Sequence, residues 1–396
     1  MTRTRRTGPP ALVLTGALLL AGCADQPGPP PVEIDRTPTS AVGAPAEVDP
    51  DGLRLPLQVD TVRIVDPGWD AVPQSADGIT LGAGERDGLL RFTAVAADGE
   101  ALWSADRPVS RTGYAVTTTP DGRALAVLTD SPAADDGEAG VATSATAYDL
   151  STGEQVWGPV DVPGPLVGPG LVFSAEPTEP IGTGDARVVL DAGTGQVLGQ
   201  DDGATVLGEY RGTVVTRQGD DLVASDTAGA ESWRLDAAAQ GWDPEALVAA
   251  TEPAPGPGVV RVRTDDASEA LVDLADGTVL ADGFTDVGVD PTTGTVITVD
   301  VDEVRGLDAE GAELWTSSSG QETTVEGVSG ALVYLRVGDS LRAHNVVTGN
   351  VAEAYDPEGT GDLVVPVLVT EDGGIVLSDY EHHYLATTEA TPPPAP

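Results

Sequence analysis

Between Ala147 and Trp157 the chain reads Ala-Tyr-Asp-Leu-Ser-Thr-Gly-Glu-Gln-Val-Trp, and weakened copies of this stretch recur through most of its length. No other feature constrains the fold as tightly. Tyr148 and Leu150 alternate with small or polar residues as in a half-buried strand, Ser151-Thr152-Gly153 supplies a tight turn, and Gln155 to Trp157 reads as the returning strand. A lone hairpin cannot bury its own apolar face, so recurrence predicts stacked units that share a core.

The turn glycine can be followed at Gly99, Gly153, Gly195, Gly229, Gly277, Gly311 and Gly349, with spacings of 54, 42, 34, 48, 34 and 38 residues. A period near 40 to 45 built from strand, turn and strand is the sequence mark of propeller blades. Trp103, Trp157, Trp233 and Trp315 each stand four residues after a turn glycine; Gly199, Ala281 and Glu353 hold that place in the other copies. Further strand candidates lie between the hairpins, giving about four per unit. The run Leu53 to Val65 is expected to close the ring by pairing with the C-terminal unit, which lacks a fourth strand of its own. The 336 residues from Leu53 to Thr388, divided by the mean spacing, predict an all-β propeller of eight four-stranded blades, with seven the alternative.

Ala147 to Trp157 is similar to the tryptophan-docking motif of the PQQ-like (quinoprotein-type) β-propeller family, Ala-x-Asp-x-x-Thr-Gly-x-x-x-Trp. The resemblance implies that Trp103, Trp157, Trp233 and Trp315 pack between adjacent blades. It implies nothing firm about chemistry, because a fold does not fix a function. Many quinone-dependent members carry a pair of adjacent cysteines beside the cofactor, and this chain has a single cysteine, Cys23. No cofactor is therefore expected.

Ahead of the repeats stands a leader. Arg3, Arg5 and Arg6 precede an apolar core, Ala11 to Leu20, with no acid among them, which is the pattern of a secretory signal. That core is too short to span a bilayer, which takes about 20 residues. General secretory export is expected over twin-arginine export, because only the Arg5-Arg6 pair of the latter pattern is present. Leu20-Ala21-Gly22-Cys23 resembles the lipobox of bacterial lipoproteins, which implies cleavage between Gly22 and Cys23, a diacylglyceryl group on Cys23, and attachment to the outer face of the plasma membrane. Two acyl chains suffice for stable anchoring where one does not. Residues 1–22 are thus read as signal, 23–52 as the lipidated cysteine with a Pro-rich flexible linker, 53–388 as propeller, and 389–396 as a disordered tail. As a coil the linker would average ~30 Å.

The formal charge of −44 comes from 64 acids against 20 bases, every base an arginine. Such a field repels phosphate backbones, which excludes nucleic acid as a partner, and it favours a soluble, self-repelling monomer. Neighbouring acids such as Asp135-Asp136 or Asp265-Asp266 point to opposite faces of a strand and make no catalytic pair. Asp300, Asp302 and Glu303 could hold calcium only loosely, because they lack the spacing of a calcium loop. His344, His382 and His383 have no ligand-spaced partners, so no metal site is expected. No nucleophile elbow, zinc-protease helix or phosphate-binding loop is present.

What remains is the set of segments that interrupt the repeat, 130–144, 175–185 and 236–257, the last carrying Trp242, the one candidate partner- or ligand-binding residue. The expectation is a lipid-anchored envelope propeller acting as a non-catalytic scaffold or binding module for an envelope protein or extracellular ligand. The alternatives on the same fold are an extracellular enzyme, quinone-dependent dehydrogenase or hydrolase, and a small-ligand sensor.

Overall fold

The computed structural model describes residues 34–59, 62–109, 113–130, 143–175, 187–199, 203–250, 254–256, 258–265 and 267–390. Antiparallel sheets of four or more strands follow one another along the chain, seven in all, and form the blades of a β-propeller. Blade 1 comprises Gln74–Ala76, Ile79–Arg86, Leu89–Ala96 and Ala101–Pro108. Blade 2 comprises Tyr114–Thr118, Ala124–Asp130, Thr143–Asp149 and Gln155–Val162. Blade 3 runs through Ala204–Tyr210, Thr213–Gln218, Asp221–Asp226 and Glu231–Asp236. Val248–Ala249, Val259–Arg263, Glu269–Asp273 and Val279–Phe284 form blade 4. Asp286–Val289, Val296–Asp300, Glu303–Leu307 and Glu313–Ser318 form blade 5. Blade 6 is Thr323–Ser329, Leu332–Val337, Ser340–Asn345 and Val351–Ala352.

Blade 7 joins the chain's two ends. Val365–Val369, Ile375–Ser378 and His383–Ala390 are its first three strands, and Val62–Trp69 is laid antiparallel along the third, with Ile64 opposite Ala386 and Trp69 opposite His383. The closing strand starts later than the run Leu53 to Val65 suggests. Pro56, which has no N–H to give a ladder, interrupts that run, and Leu53–Arg54 pairs in parallel with Asp362–Leu363 instead. The first strands of blades 1 and 2, 3 and 4, 5 and 6, and 6 and 7 contact one another, which places first strands innermost and fourth strands at the rim.

Eight complete blades are not found among the described residues. The unit around Gly195, between blades 2 and 3 in the chain, is reduced to Val172–Ser174 paired with Arg187–Val189, flanked by the single bridges Leu166–Phe173 and Leu190–Val197. Pro163, Pro165 and Pro169 crowd its first stretch, and each removes a donor from any ladder that would form there. The count of four-stranded blades is seven.

The stretch expected to be linker to residue 52 is bonded to the propeller from its second half onward. Arg36 O accepts from Arg107 of blade 1, Thr39 exchanges backbone bonds with Ser104, and Ala46–Glu47 adds a fifth strand to blade 7. Proline-rich, extended chain is suited to a sheet rim, where half of its backbone groups need no partner. The last strand ends at Ala390, two residues past the expected boundary of the tail.

Second strands are buried on both faces: Leu125, Ala126, Val127 and Leu128 of blade 2 are all 1 % exposed or less. The core lies between blades. One cluster joins Phe92 and Trp103 of blade 1 to Leu128 and Tyr148 of blade 2.

Candidate functional site

The structure places the four repeat tryptophans on outermost strands, each turned into the next unit. The Nε1 of Trp103 donates to Leu150 O at 2.8 Å, Trp157 to Ala192 O at 2.7 Å, Trp233 to Leu274 O at 2.8 Å, and Trp315 to Val346 O at 2.7 Å. In every case the acceptor lies three residues before the turn glycine of the receiving hairpin. That glycine is also the ring's seat. At Gly195 the backbone has φ +71°, and a Cβ built there would come within 2.6 Å of Trp157 Cε3, so any side chain is refused twice.

The aspartate of the repeat is consumed locally. Asp98, Asp149, Asp226, Asp273 and Asp308 each accept a hydrogen bond from the backbone N–H two residues on, and Asn345 does the same. These are Asx-turns that hold the hairpin shape. Partial burial pushes the Asp149 carboxyl up, but bonds from Ser151, Arg123 and Thr152 outweigh it and hold the group at about 2.

Trp242 does not reach the surface. It is 8 % exposed, packed in one cluster with Ala237, Leu247, Val260 and Val262, and its Nε1 has no partner. The single helical turn Ala237–Gln240 sets it there, capped by Asp236, which accepts from Ala239 N, and ended by Gly241 at φ +83°. The string Asp-Ala-Ala-Ala-Gln-Gly carries that helix signal in the sequence. The role expected for Trp242 in a binding loop is therefore corrected: the indole fills the interior between blades 3 and 4.

His344 is buried with Nδ1 bonded to Gly349 O at 3.0 Å, and His383 is buried opposite Trp69 in the ring closure, while His382 is exposed beside Asp379. Burial pushes the His383 imidazole below its ordinary range. Asp300 and Asp302 flank a tight turn, and Glu303 pairs with Arg305; among the described residues no group of three His, Cys, Asp or Glu is placed to hold a metal. Gly22 and Cys23 lie outside the described residues, as do 131–142 and 176–186, most of two of the interrupting segments. Among the described residues no helix is long and apolar enough to cross a membrane.

Several buried polar groups escape a reading of the sequence. Glu209, 2 % exposed, accepts from Thr117 Oγ1 of blade 2, from Leu171 N of the reduced unit and from Gly212 N of its own hairpin. Burial pushes its carboxyl up, and those donors pull against the rise. Arg107 Nη2 donates to Tyr148 Oη, joining blades 1 and 2. Arg261 of blade 4 pairs with Glu269 and lies 3.5 Å from Asp286 of blade 5, whose other oxygen accepts from Val325 N of blade 6. Each of these groups fastens one blade to another.

The inner turns meet across the ring. Blades 3 and 7 are not neighbours, yet Arg211 Nη1 donates to Glu371 Oε1 at 2.8 Å, and Gly212 faces Thr118 and Pro120 of blade 2.

These features define a propeller whose polar interior serves to join blades. No family model and no curated protein matches the sequence. Among solved structures the chain is similar to BamB from Moraxella catarrhalis, with 15% identity over 82% of this chain and 96% of that one and a TM-score of 0.47. It is also similar to the computationally designed Ika8 protein, with 16% identity over 85% and 99% of the two chains and a TM-score of 0.45.

Proposed function

We propose that the chain is a lipid-anchored β-propeller of the bacterial cell envelope, of the PQQ-like repeat type, that serves as a non-catalytic scaffold or binding module for an envelope protein. The observation that carries the reading is the use of the buried acids. A catalytic carboxylate needs a lone pair free for substrate. Of the two buried acids among the described residues, Glu209 spends both oxygens on structural donors from three separate units, and Asp290 spends one oxygen on Thr293 within its own turn. The indoles of the repeat and the buried arginines are committed in the same way. The anchor rests on the leader and Cys23, and the outer face of the plasma membrane follows from it.

The test has two arms, one in intact cells and one on the purified protein. Wild-type protein should fractionate with membranes and incorporate labelled fatty acid, whereas Cys23→Ser should do neither; equal incorporation in the two removes the anchor. The purified propeller should run as a monomer in light scattering and show no dehydrogenase turnover when quinone and calcium are supplied together. Reconstituted turnover would overturn the scaffold reading in favour of the enzyme.

A further inference from the structure

Between the outer strand of blade 5 and the third strand of blade 6 lies a cleft of about 30 Å³, lined by Trp315, Ser317, Ser318, Arg342 and His344 over a floor of Val304, Leu335 and Val337. That is room for one or two water-sized atoms at its base. The lining contains no acid, in a chain that carries 64 acids against 20 bases.

Arg342 adds a second anomaly. Most other arginines among the described residues are held by carboxylates or carbonyls, for example Arg91 by Asp106, Arg234 by Asp221 and Glu231, Arg336 by Glu326 and Arg217 by Pro244 O, with the exposed Arg86 an exception that lines no cleft with a hydroxyl. Arg342 has neither a hydrogen bond nor an ion pair. Two residues along the same strand, and so on the same face of it, His344 donates its Nδ1 proton to Gly349 O, which leaves Nε2 as an acceptor that takes no part in holding an anion. Across the cleft the hydroxyl of Ser317, on the same face of its strand as Trp315, is likewise unbonded. A guanidinium and a hydroxyl thus line the cleft over an apolar floor, where each counts for more than in open water.

We propose that this cleft binds a carboxylate, with the Arg342 guanidinium forked onto its two oxygens and Ser317 Oγ donating to one of them. A guanidinium matches a planar carboxylate in two parallel hydrogen bonds. A singly charged group suits the place better than phosphate, because each further negative charge works against the field of a molecule at −44, while the local cation lies well inside the screening length of ~8 Å. The ligand is a free small carboxylate or the carboxy terminus of a peptide, and the proposal does not depend on the lipid anchor.

Saturation-transfer NMR on the full chain, at constant ionic strength, separates the cases with three probes: acetate, acetyl-dialanine, and acetyl-dialanine amide. Transfer is expected to a carboxylate probe and not to the amide, with at least a fivefold loss in Arg342→Gln. Arg305→Gln, which removes an arginine paired with Glu303, should leave the signal unchanged. Transfer to both acids marks a general carboxylate site, transfer to the peptide acid alone a chain-terminal one, and either supports the proposal. Equal transfer to acid and amide, an unchanged signal in Arg342→Gln, no transfer to either acid, or stronger competition by inorganic phosphate than by acetate would overturn it. Arg342 is exposed, so its replacement leaves the core intact, and an unchanged thermal midpoint verifies that.

Discussion

Replacing Trp157 by alanine strikes the joint between a complete blade and the reduced unit. The side chain is 8 % exposed, its Nε1 bonds Ala192 O at 2.7 Å, and its ring lies on Gly195. A buried indole withdraws roughly 150–250 Å² from water, or about 4–6 kcal/mol at ~25 cal/mol/Å². Alanine retains some of that, the hydrogen bond adds about 1 kcal/mol, and partial collapse of the gap brings the expected loss to about 3–5 kcal/mol. Trp157→Phe keeps most of the area and loses the bond, so its loss should be nearer 1–2 kcal/mol. Gly195→Ala attacks the same contact from the other side. Because each change destroys what the other would, the double variant should lose less than the sum of the singles. Urea unfolding followed by far-ultraviolet circular dichroism measures all four proteins. A Trp157→Ala loss below 1 kcal/mol, or strict additivity with Gly195→Ala, would refute the idea that the indole seats on the glycine as a joint.

Other outcomes follow from the buried and inner groups. Glu209→Gln should cost about 1–3 kcal/mol, because its amide nitrogen must face the N–H of either Leu171 or Gly212, and an unchanged urea midpoint would count against that arrangement. His383 has a lowered pKa in the fold for lack of solvent, with Asp379, Asp70 and the Trp69 backbone opposing the shift and His382 adding to it, so unfolding takes up a proton. Stability should therefore be full above the ordinary histidine range and decline as pH falls through about 6.5. The thermal midpoint of His383→Leu should fall less steeply from pH 7 to 5 than that of the wild type, and matching slopes would remove His383 as the cause. For the Arg211–Glu371 pair, half exposed and worth no more than about 1 kcal/mol, amide hydrogen exchange is the sensitive readout. Glu371→Arg should speed exchange at 211–213, and Arg211→Glu combined with Glu371→Arg should restore it; no change at 211–213 would mean that the two turns are not coupled.

The repeat was legible because it solves one physical problem many times. Each copy must turn tightly, so Gly recurs with an Asp or Asn one to four residues before it, and most must attach to the next, so Trp recurs four residues after the glycine in four copies. What the pattern could not carry is anything set by groups far apart in the chain. Glu209 gathers donors from Thr117, Leu171 and Gly212, and no local spacing announces the meeting of the first two. The eight-blade count failed for a related reason: glycine spacing counts hairpins, whereas a complete blade also needs a first strand free to donate, and Pro163, Pro165 and Pro169 deny it. Trp242 illustrates the opposite error. It lies outside the repeat and was read as a loop residue, although Asp236 and Gly241 bracket a helical turn that carries it inward. The distinction bears on where function should be sought. A residue that departs from the repeat is not thereby offered to a partner, since the interior uses such residues to fill the gaps that degenerate copies leave. A better criterion is an unmet bonding capacity at the surface. Arg342 satisfies it although it stands within a regular strand of blade 6, and Trp242 fails it although it stands in an irregular segment, because the surface is what a partner can reach.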